Sequence, residues 1–171
     1  MKARPNIELK LSTTDVIIEI IGWLAVVGIW ILTFIHYEKL PEQIPIHYNS
    51  TGKADGFGDK NQLLILPIVA TLFFIGLTLL NKFPRIFNYF IPLAQENAFF
   101  QYSAATRLIR FVKLLFVIIF GLVVFMTIQT AKGTAGGLGI WFLPLMIGLF
   151  FILIMYLFEK GKKALISQSK F

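Results

Sequence analysis

The residues best suited to chemistry lie in the polar segment 40–62, LPEQIPIHYNSTGKADGFGDKNQ, which separates two strongly apolar stretches. This segment contains His47, Asn49, Asp55, Asp59 and Lys60. An imidazole, an amide, two carboxylates and an ammonium can hold a polar ligand, and the imidazole and the carboxylates could also bind a metal. Their spacing matches neither an EF-hand loop nor a zinc pattern. We therefore predict a small ligand site here, with metal binding left open.

The same segment is dense in residues that form turns. Its prolines bias the preceding residues towards extended backbone, and Asn49 and Asp55 can accept hydrogen bonds from nearby amides. Gly52, Gly56 and Gly58 could each supply a positive φ angle. The pattern predicts a hairpin-like cap over the ends of helices. The alternative is a purely structural loop whose polar side chains satisfy its own backbone.

No arrangement typical of a membrane enzyme accompanies this segment. The sequence has no HExxH motif and no nucleophile and base at a recognisable spacing. His36 is followed by Tyr37 and Glu38, so it belongs to no zinc-protease motif. There are no cysteines, which excludes disulfides and thiolate metal sites. We expect a protein that is not an enzyme and needs no cofactor.

The composition indicates the elements that must position these residues. Of 171 residues, 57% are hydrophobic and 15% are charged, and the mean hydropathy is +0.76. Soluble domains are typically about 25% charged, and apolar runs of about 18 residues or more are typical of membrane-spanning helices. The runs lack the alternation of barrel strands. We predict an all-α membrane protein, a single domain over 1–171, with four transmembrane helices at about 16–35, 63–80, 111–131 and 140–158.

The basic residues predict the orientation of these helices. Twelve of the 16 lysines and arginines lie in the N-terminal tail, the loop between spans two and three with its helix boundary, and the C-terminal tail. Basic residues are retained on the cytoplasmic side. We therefore expect a multi-pass membrane protein with both termini cytoplasmic and segment 40–62 outside. The net charge of +7 indicates contact with membrane lipids and not with nucleic acid.

Charged residues near the cytoplasmic ends of the spans form a second candidate group. A helix starting near Gln95 and continuing into the third span would place Arg107, Arg110 and Lys113 about one turn apart. These side chains could extend to lipid headgroups or dock a cytoplasmic partner. Glu19 is the one acid placed inside a predicted span. Such acids are candidates for proton or ion handling, although Glu19 is shallow enough to reach the headgroup region.

Segment 40–62, between a first and a second span, resembles a bacterial membrane domain of unknown function found at the N-terminus of SdpI-type immunity and signal-transduction proteins. A second similarity lies in FNYFIPLAQEN, followed by Tyr102, Arg107 and Arg110. The elements that carry the likeness in the loop are Leu40-Pro41, Ile44-Pro45, His47, Gly52, Asp55, Gly58 and Lys60.

The resemblance implies a protein of the bacterial cytoplasmic (inner) membrane that recognises a ligand at its outer loop. SdpI-type proteins protect a producing cell from a secreted peptide toxin and can hold a cytoplasmic repressor at the membrane. They have further spans after the region matched here, whereas this chain ends after its fourth predicted span. The alternative is an accessory structural subunit of a larger membrane complex, docked through apolar helix faces and the segment FPRIFNYFIP. A homo-oligomer is compatible with either function.

Overall fold

A computed structural model describes residues 4–89, 92–152 and 155–156. The chain begins with an extended segment and then forms helix α1 (Thr13–Tyr37), strands β1 (Gln43–Tyr48) and β2 (Ala54–Asp59), and a short 3-10 helix (Lys60–Leu64). Helix α2 (Ile65–Leu80), a 3-10 turn (Pro84–Ile86) and helix α3 (Gln95–Ala131) follow. A shorter apolar helix, α4 (Phe142–Ile152), comes last.

Within the described residues, three helical segments are long and apolar enough to cross a membrane: Thr13–Tyr37, Lys60–Leu80 and Gln95–Ala131. Large apolar side chains cover their outer faces, and Leu24 and Leu72 are each 65% exposed. Lipid, not water, is the solvent in which such faces are stable. The mostly helical, membrane-spanning character is thus confirmed. The fourth predicted span, 140–158, coincides with α4 only in part, since 153–154 and 157–158 lie outside the described residues.

Helix α1 begins at Thr13, about three residues before the start of the first predicted span. Its N-cap is Ser12, and Asp15 occupies the third helical position. The two side chains form a capping box, in which Asp15 accepts from the Ser12 amide at 3.0 Å. Ser12 is the N-cap because its hydroxyl can accept a hydrogen bond from a first-turn amide, while the Asp15 carboxylate accepts one from the Ser12 amide.

Helix α3 is a single element that starts at Gln95, as the sequence predicts. Its 37 residues correspond to about 55 Å, well beyond the roughly 30 Å of a hydrocarbon core. The stretch from Arg110 to Ala131 alone covers about 31 Å. The helix therefore has a membrane-spanning half and a half that extends past the end of α1.

The core lies where α3 packs against both other long helices. Val26 and Ile29 of α1, Phe74 of α2, and Val117 and Val124 of α3 are buried together. The same cluster continues beneath the strands through Leu40, Ile44 and Leu63. The strands are therefore packed on the helices and share their core.

Strands β1 and β2 form an antiparallel hairpin with Gln43 opposite Asp59 and Tyr48 opposite Ala54. The Tyr48 hydroxyl lies 2.9 Å from Thr127 Oγ1 of α3, and the Leu138 amide donates to the Gly52 carbonyl at 2.7 Å. Both the hairpin and its turn are thus fixed to α3 and to the loop that follows it.

The glycines of the hairpin have two different roles. Gly52 has a φ of +75°, as expected for a turn. The prediction of positive φ at Gly56 and Gly58 is wrong, because both lie in β2 and neither has a positive φ. Glycine is needed at both positions because a side chain would not fit. A Cβ at Gly56 would lie 2.9 Å from the His47 Cβ, and a Cβ at Gly58 would lie 2.7 Å from Ile46 Cδ1.

Candidate functional site

The exposed face of the hairpin presents an ion pair beside an aromatic ring. Side chains alternate along a strand, and in β2 this alternation directs Asp55 and Phe57 away from the bundle. His47 of β1 pairs with Asp55 through Nδ1 and Oδ1 at 2.5 Å. Phe57 is 59% exposed. We call His47, Asp55 and Phe57 the hairpin surface.

The pair between His47 and Asp55 contributes little to the fold. The side chains are 71% and 43% exposed, and solvent-exposed ion pairs stabilise proteins by only about 0–1 kcal/mol. An exposed imidazole, carboxylate and aromatic ring on one hairpin can bind a ligand that offers both polar and apolar groups. Among the described residues there is no group of three or more histidine, cysteine or acidic side chains that could hold a metal.

Three other predicted site residues are engaged in holding the hairpin together. Asn49 Oδ1 accepts from the Thr51 amide at 3.0 Å and the Lys53 amide at 3.1 Å, which closes the turn. Asp59 caps the 3-10 helix by accepting from the Asn61 amide at 2.7 Å. Lys60 pairs with Glu42 at 2.8 Å. The structure thus separates the predicted loop site into an open pair, His47 and Asp55, and a scaffold of Asn49, Asp59 and Lys60.

Tyr48 connects the hairpin surface to the bundle beneath it. Its half-buried position raises the pKa of its phenol, an effect that the hydrogen bond with Thr127 partly offsets. The hydroxyl therefore stays protonated at physiological pH and can remain bonded to α3.

A buried ion cluster lies at the opposite end of the bundle. Arg107 Nε donates to Asp15 Oδ1 at 2.9 Å, and Arg110 Nη1 lies 3.7 Å from the same oxygen. Lys113 donates to Glu19 Oε2 and to Thr78 Oγ1, each at 2.6 Å. The lysine ammonium also lies 4.3 Å from the centre of the Phe74 ring. We call these groups the ion cluster: Asp15, Glu19, Arg107, Arg110, Lys113 and Thr78.

The ion cluster differs from the predicted arrangement of these charges. Arg107, Arg110 and Lys113 are predicted to contact lipid headgroups or a partner, but the Lys113 side chain is 0% exposed and Arg110 is also buried. Acids on α1 attract them inward, because a buried cation needs a nearby anion. Glu19 likewise lies next to Lys113 and Arg110 and is not an isolated intramembrane acid. Whether it also handles protons or ions stays a prediction.

The orientation of the helices stays a prediction. Without Arg107, Arg110 and Lys113, thirteen lysines and arginines remain, and nine of them lie in segments that the sequence predicts to be cytoplasmic. The bias therefore does not depend on residues that are neutralised inside the bundle.

Two residues of the site, Phe57 and Thr78, are not among those predicted from the sequence. Phe57 is exposed because Asp55, Phe57 and Asp59 alternate with glycines in β2, and this alternation is a pattern from which its exposure could have been predicted. Thr78 joins the ion cluster from within an unbroken apolar run, and nothing local marks it. It is found only once α2 and α3 are packed.

The long apolar helices define a membrane protein, and a two-stranded hairpin connects the first two of them. Residues 24–71, which include most of α1, the hairpin and the start of α2, match the family described as a domain of unknown function, DUF1648. The predicted resemblance to a membrane domain of unknown function is thereby confirmed. The match assigns no activity, so the association with SdpI-type proteins stays a prediction.

An uncharacterised protein of Archaeoglobus fulgidus is 32% identical to this chain over 73 residues. The matched region covers 38% of this chain and 40% of that protein, so the likeness concerns a part of each. No solved structure matches the chain.

Proposed function

We propose that this chain is a non-enzymatic membrane protein whose hairpin surface faces outward and recognises a ligand, specifically a secreted peptide of the kind against which SdpI-type proteins protect. The observation that carries the proposal is the exposure of His47, Asp55 and Phe57 on a hairpin that is anchored in the helix core through Ile44. Aromatic rings with adjacent polar groups are typical of recognition surfaces.

The attachment of the hairpin supports a recognition role. A surface that is already fixed before binding loses less conformational freedom when the ligand binds. Here Ile44 is buried in the helix core, Tyr48 bonds to α3, and Gly52 bonds to the loop after α3. Binding at the hairpin would therefore act directly on α3, whose other half extends to the cytoplasmic side in the proposed orientation.

Substitution of the hairpin surface should abolish protection without unfolding the protein. In a toxin-sensitive strain, the wild-type chain is expected to raise survival, whereas His47→Ala, Asp55→Ala and Phe57→Ala each lose most of that gain. All three side chains are exposed, so their melting temperatures should stay within a few degrees of wild type. The measurement is colony survival over a toxin dilution series, with membrane levels checked by immunoblot.

Glu42→Ala is the matched control for these variants. It also removes an exposed ion pair from the hairpin, the one with Lys60, but lies away from the hairpin surface. It should protect like wild type. Equal protection by all of these variants, at equal membrane levels, would contradict recognition at the hairpin surface.

The proposed orientation can be tested because the chain has no cysteine. Lys39→Cys lies on the hairpin side and Lys10→Cys on the side of the N-terminus, and both positions are exposed. In intact cells a membrane-impermeant maleimide should label Lys39→Cys and spare Lys10→Cys, while both react after permeabilisation. The reverse labelling pattern in intact cells would place the hairpin in the cytoplasm and exclude a secreted ligand.

A second candidate function, accessory subunit of a larger complex, is favoured by a different observation. Phe83 and Ile86, which follow α2, are 55% and 64% exposed at the end of the bundle opposite the hairpin. Exposed apolar residues at a membrane boundary fit either a partner protein or the lipid interface. Mild-detergent purification distinguishes them: a stoichiometric partner that is lost in Phe83→Ser/Ile86→Ser supports the subunit function.

A further inference from the structure

A cleft of about 460 Å³ lies beside the ion cluster and is not used by the hairpin surface. The extended N-terminal segment forms one wall with Leu9 and Leu11, and the end of α2 and the middle of α3 form the other. The segment is held in place from both sides: Tyr102 donates to the Pro5 carbonyl at 3.0 Å, and Arg4 donates to the Phe87 carbonyl at 2.8 Å. The cleft is therefore a built feature of the fold.

The polar wall of the cleft contains two buried groups whose hydrogen bonding is incomplete among the described residues. Asn81 Nδ2 donates to the Thr106 carbonyl at 3.0 Å, and because a carbonyl only accepts, this contact fixes the amide and leaves Oδ1 as an acceptor. Oδ1 has no donor among the described residues. Arg110 Nε lies 3.2 Å from Glu19 Oε1, yet its N–H makes no hydrogen bond within the same part of the chain.

Incomplete bonding of buried polar atoms is costly, at about 1–3 kcal/mol for each group. A ligand that supplies one donor and one acceptor would remove both deficits. Lys82, exposed beside Asn81 on the rim, adds a positive charge at the mouth of the cleft. Glu19, which also lines it, adds a negative one. The cleft thus offers a match for a group that carries an anion and an ammonium close together.

The depth of the cleft indicates a lipid as the source of such a group. Arg110 lies about 31 Å along α3 from its end at Ala131, which equals one hydrocarbon thickness. Asn81 and Lys82 follow directly on the last residue of α2. All three residues are therefore at the level of the headgroups, where the apolar Leu9 and Leu11 can contact acyl chains.

We propose that this cleft binds the headgroup of an ethanolamine phospholipid, with its phosphate facing Lys82 and Arg110 and its ammonium facing Asn81 and Glu19. Other common headgroups satisfy only part of the wall. A choline ammonium has no N–H to donate to Asn81 Oδ1, and a glycerol headgroup, whose hydroxyls can donate there, carries no positive charge for the acids that line the cleft, Glu8 and the already paired Glu19. The site therefore selects for a primary ammonium.

Lipid retention measures this selectivity. The purified chain is equilibrated with vesicles holding equal amounts of ethanolamine, choline and glycerol phospholipids, and co-purifying lipids are counted by native mass spectrometry. Wild type should retain the ethanolamine lipid about tenfold over the choline lipid, the factor expected for one hydrogen bond to a charged group. Asn81→Leu should lose this preference, and Lys82→Gln should lower the retention of every phospholipid.

Lys39→Ala, an exposed lysine at the opposite end of the bundle, is the control and should behave like wild type. The exposed Lys82→Gln variant remains informative if Asn81→Leu fails to fold. Equal retention of all three lipids by wild type, a preference unchanged in Asn81→Leu, or a total lipid retention unchanged in Lys82→Gln would overturn the proposal. So would displacement of the lipid by millimolar glycerophosphoethanolamine, which would make the ligand a soluble headgroup and not a membrane lipid.

Discussion

Replacement of Lys113 by methionine is expected to destabilise the protein more than any other single change at a charged residue. Lys113 is fully buried and donates to Glu19 and Thr78 at 2.6 Å each. Methionine retains most of the volume but leaves Glu19 with only the neighbouring Arg110. Removal of one partner of a buried pair costs about 3–5 kcal/mol. For a chain of this size the melting temperature should fall by roughly 10 °C, as measured by fluorescence of the three tryptophans.

A second substitution identifies the cause of this loss. In Lys113→Met/Glu19→Gln the carboxylate that has lost its lysine partner is gone, and Arg110 still has Asp15 at 3.7 Å. The double variant should therefore recover most of the lost stability. Lys39→Met, which changes an exposed lysine in the same way, should melt like wild type. A double variant no more stable than Lys113→Met would mean that packing, not charge, dominates at this site.

Replacement of Gly52 by alanine is expected to detach the hairpin turn from the loop after α3. Gly52 has a φ of +75°, and a Cβ there would lie 2.4 Å from the Gly139 carbonyl oxygen. The left-handed backbone costs about 1–2 kcal/mol for a residue with a Cβ, and a clash with main chain adds about 1–3 kcal/mol. Amide exchange at Leu138, which donates to the Gly52 carbonyl, should accelerate by at least about tenfold.

Gly133→Ala separates the two contributions. Gly133 has a nearly identical φ of +74°, but nothing lies within 4 Å of the position its Cβ would take. It should show the backbone cost alone, with exchange at the hairpin close to wild type. If both variants accelerated amide exchange at Leu138 equally, the clash of a Gly52 side chain with the Gly139 main chain would not be the cause of the effect.

The sequence predicts the helices well because their signal is local. Long apolar runs mark the three segments long enough to cross a membrane, and the absence of proline and glycine from 93 to 120 marks the start of α3 near Gln95. The boundaries are less certain, as Ser12 shows, since capping depends on which hydroxyl reaches a first-turn amide. The length and spacing of the apolar residues thus identify the helices, and hydrogen bonds at the caps determine the residue at which each helix begins.

The site is only partly predictable because its residues come together through packing. His47 and Asp55 are identifiable from their segment. Only the folded hairpin shows that their side chains pair, whereas the side chains of Asn49 and Asp59 accept hydrogen bonds from backbone amides. The buried position of the Lys113 ammonium depends on its hydrogen bonds with Glu19 and Thr78, which are contributed by two other helices. Snorkelling to the headgroups is a reasonable expectation for one helix alone, and the neighbouring acids change it.

Site-specific photo-crosslinking tests recognition at the hairpin most directly. A photoreactive phenylalanine analogue is placed at Phe57, or at Phe125 on a lipid-facing part of α3 as control, and cells are exposed to the peptide toxin under light. A toxin adduct at position 57, absent at position 125 and lost when His47→Ala is added, is the expected result. No adduct at position 57, or equal adducts at both positions, would contradict the proposal that the hairpin surface recognises the peptide.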